Sequence, residues 1–343
     1  MGRYAALHAD PQGEGDARPA AEQILRDQGL VGKLSDKTFL VTGATSGLGY
    51  ETARVLLLSG AKVIITGRTQ ERADAAAATI SATSPDAPAV KAVAMDLASL
   101  GSVRRGAEAI QKLTQSLNVL VANAGMMAAP EGESSEGHEL QFAVNHLAHF
   151  LLFELLRPTL QASAAAGSAS RVIVVSSIAH RIGSIHTSNY SLTGEYDPWM
   201  SYGQSKLANI LMALELEKRY GGESGKNHAL SLHPGMIADT TLAKHQGGGD
   251  ALMSMFSQQD EKLTQTAKTV QQGAATQIWA AVAAELEGKG GLYLDDCQVA
   301  KPYVEGAGSF SPGYGPLAYD EVTAKTLWDD SRQMVGLENG ASK

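Results

Sequence analysis

The sequence predicts an α/β fold, a doubly wound domain in which helices cover both faces of a parallel sheet. Three observations support this prediction. Short apolar runs alternate with helical patterns from Lys37 onward, which is typical of parallel sheets. The run at residues 171–176 is nearly all β-branched, which indicates a central strand. A turn with glycines at positions 43, 47 and 49 joins the first strand to the next helix. We therefore expect one domain over residues 37–343, preceded by an N-terminal extension, residues 1–36.

The elements of this domain can be placed in chain order. Residues 1–19 are rich in Gly, Pro and charge, which predicts a mobile segment, and residues 20–30 predict a short helix. Strands are expected at residues 39–41, 62–66, 90–95, 118–122, 171–176, 229–232 and 291–294. Helices are expected after the glycine turn, at residues 70–83, 100–115, 136–156, 202–220 and 319–335, and twice within 250–287. Pro158 and the small-residue tract 162–170 should end the helix at 136–156.

Composition and charge exclude several classes of protein. The 343 residues, 44% of them hydrophobic, are sufficient for one large core or two modest domains. Because 28 Lys and Arg stand against 36 Asp and Glu, the net charge of −8 does not favour nucleic acid or an anionic membrane as a partner. The single cysteine, Cys297, excludes an internal disulfide and fits a reducing compartment. No apolar run approaches the roughly 18 residues of a membrane anchor, and the polar N-terminus is no secretory signal. We expect a cytoplasmic protein, and a homodimer stays open.

The glycines of the strand–helix turn indicate a phosphate site. Without side chains, Gly43, Gly47 and Gly49 would let a phosphate approach the backbone. The helix that follows offers free N–H groups and the positive end of its dipole. The spacing Gly-x3-Gly-x-Gly differs from the commoner Gly-x-Gly-x-x-Gly of dinucleotide sites. An ordinary strand–helix connection could contain the same residues, so the turn by itself leaves both interpretations open.

A tyrosine and a lysine four residues apart, Tyr202 and Lys206, indicate proton transfer. On a helix they are neighbours on one face. A phenol with a pKa near 10 is a poor acid or base at neutral pH, and a nearby cation lowers that pKa. Such a tyrosine can give a proton to a carbonyl oxygen while hydride reaches the carbon, and Ser177 at a strand end can hydrogen-bond the same oxygen. His146 and His149 could suggest a metal, but no third ligand is placed, so no metal site is predicted.

Five motifs in this order resemble the short-chain dehydrogenase/reductase family, which implies a single Rossmann domain. They are Thr42-Gly43-x3-Gly47-x-Gly49, Asn123-Ala124-Gly125, Asn145, Ser177 and Tyr202-x3-Lys206. Pro234-Gly235 after the sixth strand extends the match, which covers about residues 37–300. The strings at 176–181 and 202–209 are similar to the retinol dehydrogenase and WW-domain oxidoreductase branch, as is the wide gap between Ser177 and Tyr202.

The resemblance implies a role for each matching residue. Tyr202 is implied as the general acid/base, and Lys206 as the group that lowers its pKa and binds the nicotinamide ribose. Ser177 would orient the substrate oxygen, and Asn145 would position a water that connects Lys206 to a proton relay. The implied cofactor-binding residues are Gly43, Thr45, Ser46, Gly47, Leu48, Gly49, Arg68, Asp96, Leu97, Asn123, Ala124, Gly125, Tyr202, Lys206, Pro234, Gly235, Ile237 and Thr240. Thr241 could replace Thr240, because the count from Pro234 is one residue longer than in many retinol dehydrogenases.

The end of the second strand predicts which cofactor binds. Sites for NAD usually place a carboxylate there, on the ribose 2′-hydroxyl. This chain instead has Arg68, whose guanidinium suits a 2′-phosphate. Ser46 is evidence against NADP(H), because some NADP-using relatives carry a second basic residue at this position. We expect NADP(H).

The substrate side is expected to be apolar. Met253, Met255 and Phe256 follow the glycines 247–249, where this fold carries a mobile substrate lid, here about residues 238–270, and a C-terminal tail covers about residues 301–343. Met126 and Met127 could line the substrate pocket or simply pack in the core.

Together these features predict an oxidoreductase that interconverts a ketone or aldehyde and an alcohol, with reduction of an apolar small molecule as the expected direction. Two alternatives stay open. One is a redox sensor or scaffold that binds nucleotide without turnover, and the other is an epimerase or dehydratase on the same fold. The short C-terminal tail argues against an epimerase or a dehydratase, because those enzymes tend to add a larger C-terminal substrate domain.

Overall fold

A mostly parallel sheet of eight strands forms the centre of the computed structural model, which describes residues 2–164, 169–222, 227–258 and 263–337. The strands are β1 Thr38–Val41, β2 Lys62–Gly67, β3 Lys91–Ala94, β4 Val119–Ala122, β5 Ser170–Val175, β6 Asn227–His233, β7 Leu292–Asp295 and β8 Gln298–Val299. Their order in the sheet is β3-β2-β1-β4-β5-β6-β7-β8, and only β8 runs antiparallel to its neighbour. The seven expected strands are all present, and β8 is an addition. The predicted α/β fold with a mostly parallel sheet is confirmed.

Helices cover both faces of the sheet. They are α1 Ala21–Asp27, α2 Gly47–Leu58, α3 Gln70–Ala82, α4 Leu100–Leu113, α5 Leu140–Phe142, α6 Ala148–Ser163, α7 Pro198–Tyr220, α8 Gly249–Ser257, α9 Leu263–Thr266, α10 Val270–Gly273, α11 Ala275–Val282 and α12 Glu321–Met334. A π-helical turn, Ala143–Leu147, joins α5 to α6. Because side chains alternate along a strand, Phe39 and Val41 pack under α1, α2 and α11, while Leu40 packs under α4, α6, α7 and α12.

The sheet order reverses beside β1, and this reversal determines where a ligand can bind. Val41 at the end of β1 is level with Ile65 of β2 on one side and Val121 of β4 on the other. The chain leaves β1 toward α2 and leaves β4 in the opposite direction across the sheet. Loops at such a switch point diverge and leave a crevice at the carboxyl ends of the strands.

Both expected boundaries of the helix at residues 136–156 are wrong. The helix expected at residues 136–156 begins only at Leu140, because Glu139 accepts hydrogen bonds from the N–H groups of Gln141 and Phe142. Pro158 lies inside α6 and does not end it. The buried Leu156 and Leu160 continue the same helix face on either side of the proline, and this packing outweighs the missing hydrogen bond.

The N-terminal segment is packed against the domain, although its composition predicts mobility. Arg18 is buried, and its guanidinium donates hydrogen bonds to the carbonyls of Gly13, Thr266 and Ala267. Tyr4 is buried with its hydroxyl on Asp27. Composition does not reveal the distant carbonyls that hold this arginine.

The last helix, α12, completes the core on one face. Its Trp328 packs edge-on against Phe150 at a ring distance of 4.8 Å and lies under the guanidinium of Arg219. Across the ranges that the structure describes, no helix has the length and hydropathy needed to cross a membrane.

Candidate active site

The glycine turn between β1 and α2 leaves a cradle of bare backbone. Gly43 and Gly47 have φ of 65° and 56°, values that favour glycine. A Cβ at Gly43 would lie 2.7 Å from the Cβ of Ala124, and one at Gly49 would collide with the Asn123 amide. Ser46 begins α2 without a side-chain cap, so the first N–H groups of this helix are available to a ligand. The turn therefore fits the pyrophosphate of a dinucleotide.

A buried network under this turn holds the two neighbouring loops together. The hydroxyl of Thr42 accepts hydrogen bonds from the N–H groups of Asn123 and Ala124, both at 3.0 Å. Asn123 donates to the Thr42 carbonyl at 2.8 Å and accepts from Gln277 at 3.1 Å. Gln277 in turn accepts from the Thr52 hydroxyl of α2. Sequence reasoning missed Gln277, although a glutamine within the apolar run of α11 was a signal for it.

Tyr202, Ser177 and Lys206 come together at the carboxyl end of β5. Asp197 caps α7 one turn before Tyr202, and this cap starts the helix earlier than expected. The Ser177 side chain hydrogen-bonds the Tyr202 phenol, and its oxygen accepts from the N–H of Ala179 at 3.2 Å. The Nζ of Lys206 lies 5.7 Å from the centre of the tyrosine ring. The three residues are therefore arranged as the sequence predicts.

Burial shifts the pKa values of this pair apart. Burial raises the pKa of Tyr202 to about 12, although the hydrogen bond from Ser177 lowers this pKa in part. Burial lowers the pKa of Lys206 to about 8. The expectation that Lys206 lowers the pKa of Tyr202 stays a prediction, because burial and Ser177 are the causes of the shift in this structure. The Nζ of Lys206 donates to the carbonyl of Val175 at 3.1 Å.

Asn145 lies in the π-helical turn, and its side chain lies near Gly125, as does the Nζ of Lys206. The Asn145 side chain accepts from the N–H of Met126 at 2.8 Å and donates to the Met126 carbonyl at 2.9 Å. A Cβ at Gly125 would lie 3.0 Å from the Asn145 oxygen and 3.3 Å from the Lys206 Nζ. A side chain there would crowd both groups, so Gly125 lets Lys206 and Asn145 approach the same point.

The two histidines next to Asn145 bind protein atoms. His149 donates from Nδ1 to the Asn145 carbonyl at 3.0 Å, so its Nε2 accepts from the Thr42 hydroxyl at 2.9 Å. Burial lowers the pKa of His149 to about 4, which keeps this ring neutral. His146 binds Ser331 of α12 through Nε2. Among the described residues, no group of three acidic, histidine or cysteine side chains could hold a metal.

At the adenosine side, Arg68 stands exposed at the end of the buried strand β2. Within the part of the chain that the structure describes, no carboxylate pairs with it. A Cβ at Gly67 would lie 2.6 Å from the methyl group of Thr45, so Arg68 directly follows a residue that packs against the glycine turn. Asp96 accepts from the N–H of Ala98, and the following Leu97 is almost fully buried.

At the nicotinamide side, Ile237 and Thr240 lie over the glycine turn. A Cβ at Gly273 would lie 2.7 Å from Ile237 and 2.8 Å from Leu48, so these two side chains adjoin. Thr240 would lie 3.6 Å from a Cβ at Gly47, whereas Thr241 is exposed. The geometry thus favours Thr240 over Thr241. Gly235, with φ of 102°, follows Pro234 and makes room for a buried lysine, Lys268, which pairs with Asp296 at 2.6 Å.

The segment expected to form the lid covers Tyr202, whose exposed fraction is 3%, through its residues Ala243, Leu252 and Phe256, while residues 259–262 of that segment lie outside the described residues. Gln246 ties the lid to the loop after β4 by a hydrogen bond to the Ala128 carbonyl at 2.8 Å. A small apolar cluster surrounds the tyrosine and includes Met127, Ala128, Ala179, Trp199, Leu242, Ala243, Leu252 and Phe256. Met127 and Phe256 belong to this cluster, whereas Met255 is exposed and Met126 is held by Asn145. The immediate surroundings of the phenol are therefore apolar.

Comparison with known proteins agrees with this geometry. The profile of a family described as short chain dehydrogenase matches residues 37–251. Over 344 residues the chain is 49% identical to oxidoreductase calI of Penicillium decumbens, with 99% of each chain covered. It is 37% identical to human retinol dehydrogenase 14, covering 92% of this chain and 91% of that one.

Solved structures give the same result. A protein from Mycobacterium paratuberculosis described as uncharacterized superposes with a TM-score of 0.66 at 32% identity, over 89% of this chain and 95% of that one. RhlG of Pseudomonas aeruginosa, solved as an active-site complex with NADP, superposes with a TM-score of 0.59 at 26% identity. That superposition covers 78% of this chain and 96% of RhlG.

Proposed function

This chain belongs to the short-chain dehydrogenase family of oxidoreductases, and on that premise we propose that it is an NADP(H)-dependent reductase of apolar ketones or aldehydes. One observation carries the proposal. The phenol of Tyr202, the hydroxyl of Ser177, the ammonium of Lys206 and the amide of Asn145 converge beside the glycine cradle, under an apolar lid.

Tyr202, Ser177 and Lys206 have separate roles in the proposed reduction. A bound reduced nicotinamide would supply the hydride. Tyr202 keeps its proton at neutral pH, because burial raises its pKa to about 12, and it can give that proton to the substrate oxygen. The Ser177 oxygen accepts from Ala179, and its hydrogen, which bonds the Tyr202 phenol in this structure, can turn to the same substrate oxygen when a substrate binds. Lys206, with its pKa lowered to about 8, can release a proton near neutral pH one helical turn away. The closed lid excludes water from this transfer.

The preference for NADP(H) rests on Arg68. Its exposed guanidinium stands where a carboxylate would bind the ribose hydroxyl of NAD, and RhlG, a relative with the same fold, was solved with NADP. Arg68→Ala should weaken NADPH binding by about 1–3 kcal/mol and barely change NADH binding. Arg26→Ala, at an exposed arginine paired with Glu22, is the matched control. Equal losses for the two cofactors in calorimetry would contradict this assignment.

Turnover tests the function itself. The purified protein should oxidise NADPH in the presence of apolar ketones, followed by the absorbance of the reduced nicotinamide. Tyr202→Phe keeps the ring, so NADPH should still bind while kcat falls by roughly 10²–10⁴-fold, the range for lost acid–base catalysis. NADPH binding without turnover of any carbonyl would favour a redox sensor. Conversion of an alcohol substrate without net NADPH change would favour an epimerase or dehydratase.

A further inference from the structure

The C-terminal tail is fixed to the segment that follows the catalytic serine. His180 donates from Nδ1 to the Ser177 carbonyl at 2.6 Å. The N–H of Gly315 donates to Nε2 of the same ring at 2.9 Å, so Nε2 must be the unprotonated nitrogen. Arg181 donates to the carbonyls of Ser309 and Ser311. Two consecutive side chains therefore hold the loop at residues 301–316, which we call the tail loop.

Further contacts make this loop rigid. The guanidinium of Arg181 stacks on the ring of Tyr303 at 4.3 Å, inside the same loop. The N–H of Gly313 donates to the buried carboxylate of Asp295 at the end of β7. His180 packs edge-on against Tyr293 at 5.0 Å. Burial lowers the pKa of His180 to about 4, so its two hydrogen bonds keep their directions at neutral pH.

The tail loop presents an aromatic ring to the lid. Phe310 lies 5.2 Å from Phe256 of α8, and Phe256 lies 5.5 Å from Trp199. Trp199 in turn lies 6.3 Å from the ring of Tyr202, the proton donor. Phe256, Trp199 and Phe310 are each only half-buried, so part of every ring remains open to contact. These three rings, which we call the aromatic wall, lead from the surface to the reacting phenol.

We propose that the aromatic wall selects carbonyl substrates that carry a flat, apolar ring system, and that His180 and Arg181 position the wall by fixing the tail loop. This inference rests on the proposed reductase function and specifies its substrate class. Flat rings can stack on or meet the edges of Phe256, Trp199 and Phe310, which is worth about 0.5–1.5 kcal/mol for each ring pair beyond simple burial. A linear chain of equal carbon number buries comparable area but makes no such ring pairs, and it loses more rotamer freedom on binding.

The test compares two ketones with the same number of carbon atoms, the bicyclic 2-tetralone and the linear 2-decanone, each with saturating NADPH. Phe310→Leu keeps an apolar side chain but removes the ring. We expect kcat/KM for 2-tetralone to fall about 3- to 10-fold through KM, the effect of losing one or two ring pairs, and kcat/KM for 2-decanone to change less than 2-fold. Val304→Ala, at a side chain of the same loop that is 68% exposed, is the control and should change neither. Equal effects of Phe310→Leu on both ketones, or no effect on either, would overturn the proposal.

The role of Arg181 in fixing the tail loop is tested by Arg181→Met, which keeps an unbranched side chain and removes its hydrogen-bond donors. It should lower selectivity for 2-tetralone in the same direction as Phe310→Leu, with kcat for 2-decanone retained. Unchanged selectivity between 2-tetralone and 2-decanone would show that Arg181 does not position the aromatic wall. Calorimetric binding of 2-tetralone to the proteins loaded with oxidised NADP⁺, which has no hydride to transfer, separates the two hypotheses. If no carbonyl is reduced but Phe310→Leu still weakens 2-tetralone binding, the reductase function fails and the wall stands. If reduction proceeds while binding is unaffected by Phe310→Leu, the wall fails and the function stands.

Discussion

Replacing the catalytic lysine should stabilise the protein in the absence of cofactor. Burial lowers the pKa of Lys206 from 10.5 to about 8. A difference of one pKa unit corresponds to about 1.36 kcal/mol. The free energy of unfolding at pH 7 is therefore lower by about 3 kcal/mol, because the folded state holds this ammonium away from water. Lys206→Met removes that cost. The Val175 carbonyl, which loses the lysine, still accepts from the Asn209 side chain at 3.0 Å, so no buried acceptor is left unpaired. We expect a net gain of about 2–3 kcal/mol at pH 7.

The sign of the pH dependence follows from the same shift. Below pH 8 the lysine is protonated in both the folded and the unfolded state, and the full cost is present. Between pH 8 and pH 10.5 the folded state gives up its proton first, so the free energy of unfolding of the unchanged protein rises with pH. Above pH 10.5 both states are neutral and the cost is gone. The advantage of Lys206→Met should therefore shrink across this window.

Urea unfolding of both proteins at a series of pH values measures this difference directly. Lys112→Met, at an exposed lysine of α4, is the control and should stay within about 0.5 kcal/mol of the unchanged protein. The variant must also lose turnover, since the residue assists proton transfer. The reasoning is refuted if Lys206→Met is less stable than the unchanged protein at pH 7, or if its advantage does not decline with pH.

Three further changes test other parts of the site. Thr42→Val keeps the shape but leaves the N–H of Ala124 without its acceptor and Nε2 of His149 without its donor, and should cost about 2–4 kcal/mol in urea unfolding. Gly49→Ala would push a methyl group into the Asn123 amide, so the free energy of unfolding should fall by about 1–3 kcal/mol and calorimetry should show weaker NADPH binding. Asp197→Ala removes the cap of α7 and should cost about 1 kcal/mol in thermal unfolding, with little change in KM for NADPH. Unchanged stability of the first and third variants would mean that these hydrogen bonds are not formed in solution.

Local patterns predicted the sheet and the placement of the catalytic residues. Strands such as β5 are short apolar runs, and the spacing of Tyr202 and Lys206 needs only a helix to bring them together. Contacts between distant segments could not be predicted in this way. Gln277 on Asn123, and Gly315 on His180, join residues more than a hundred positions apart, and neither pair has a local signature. The raised pKa of Tyr202 has the same origin, because it depends on how deeply the lid buries the ring.

Helix α12 has a consequence for how the protein is made. Trp328 covers the side of α6 that holds Phe150 and Phe153, and the chain between α7 and α12 carries β6, β7 and the tail loop. During synthesis, the residues as far as α7 leave the ribosome before α12 does. The aromatic side of α6 therefore stays uncovered until α12 has been released, which makes it a surface for chaperones to bind and for partly made chains to associate. A chain that stops before α12 would carry all four residues of the proposed catalytic set and still have an unfinished core.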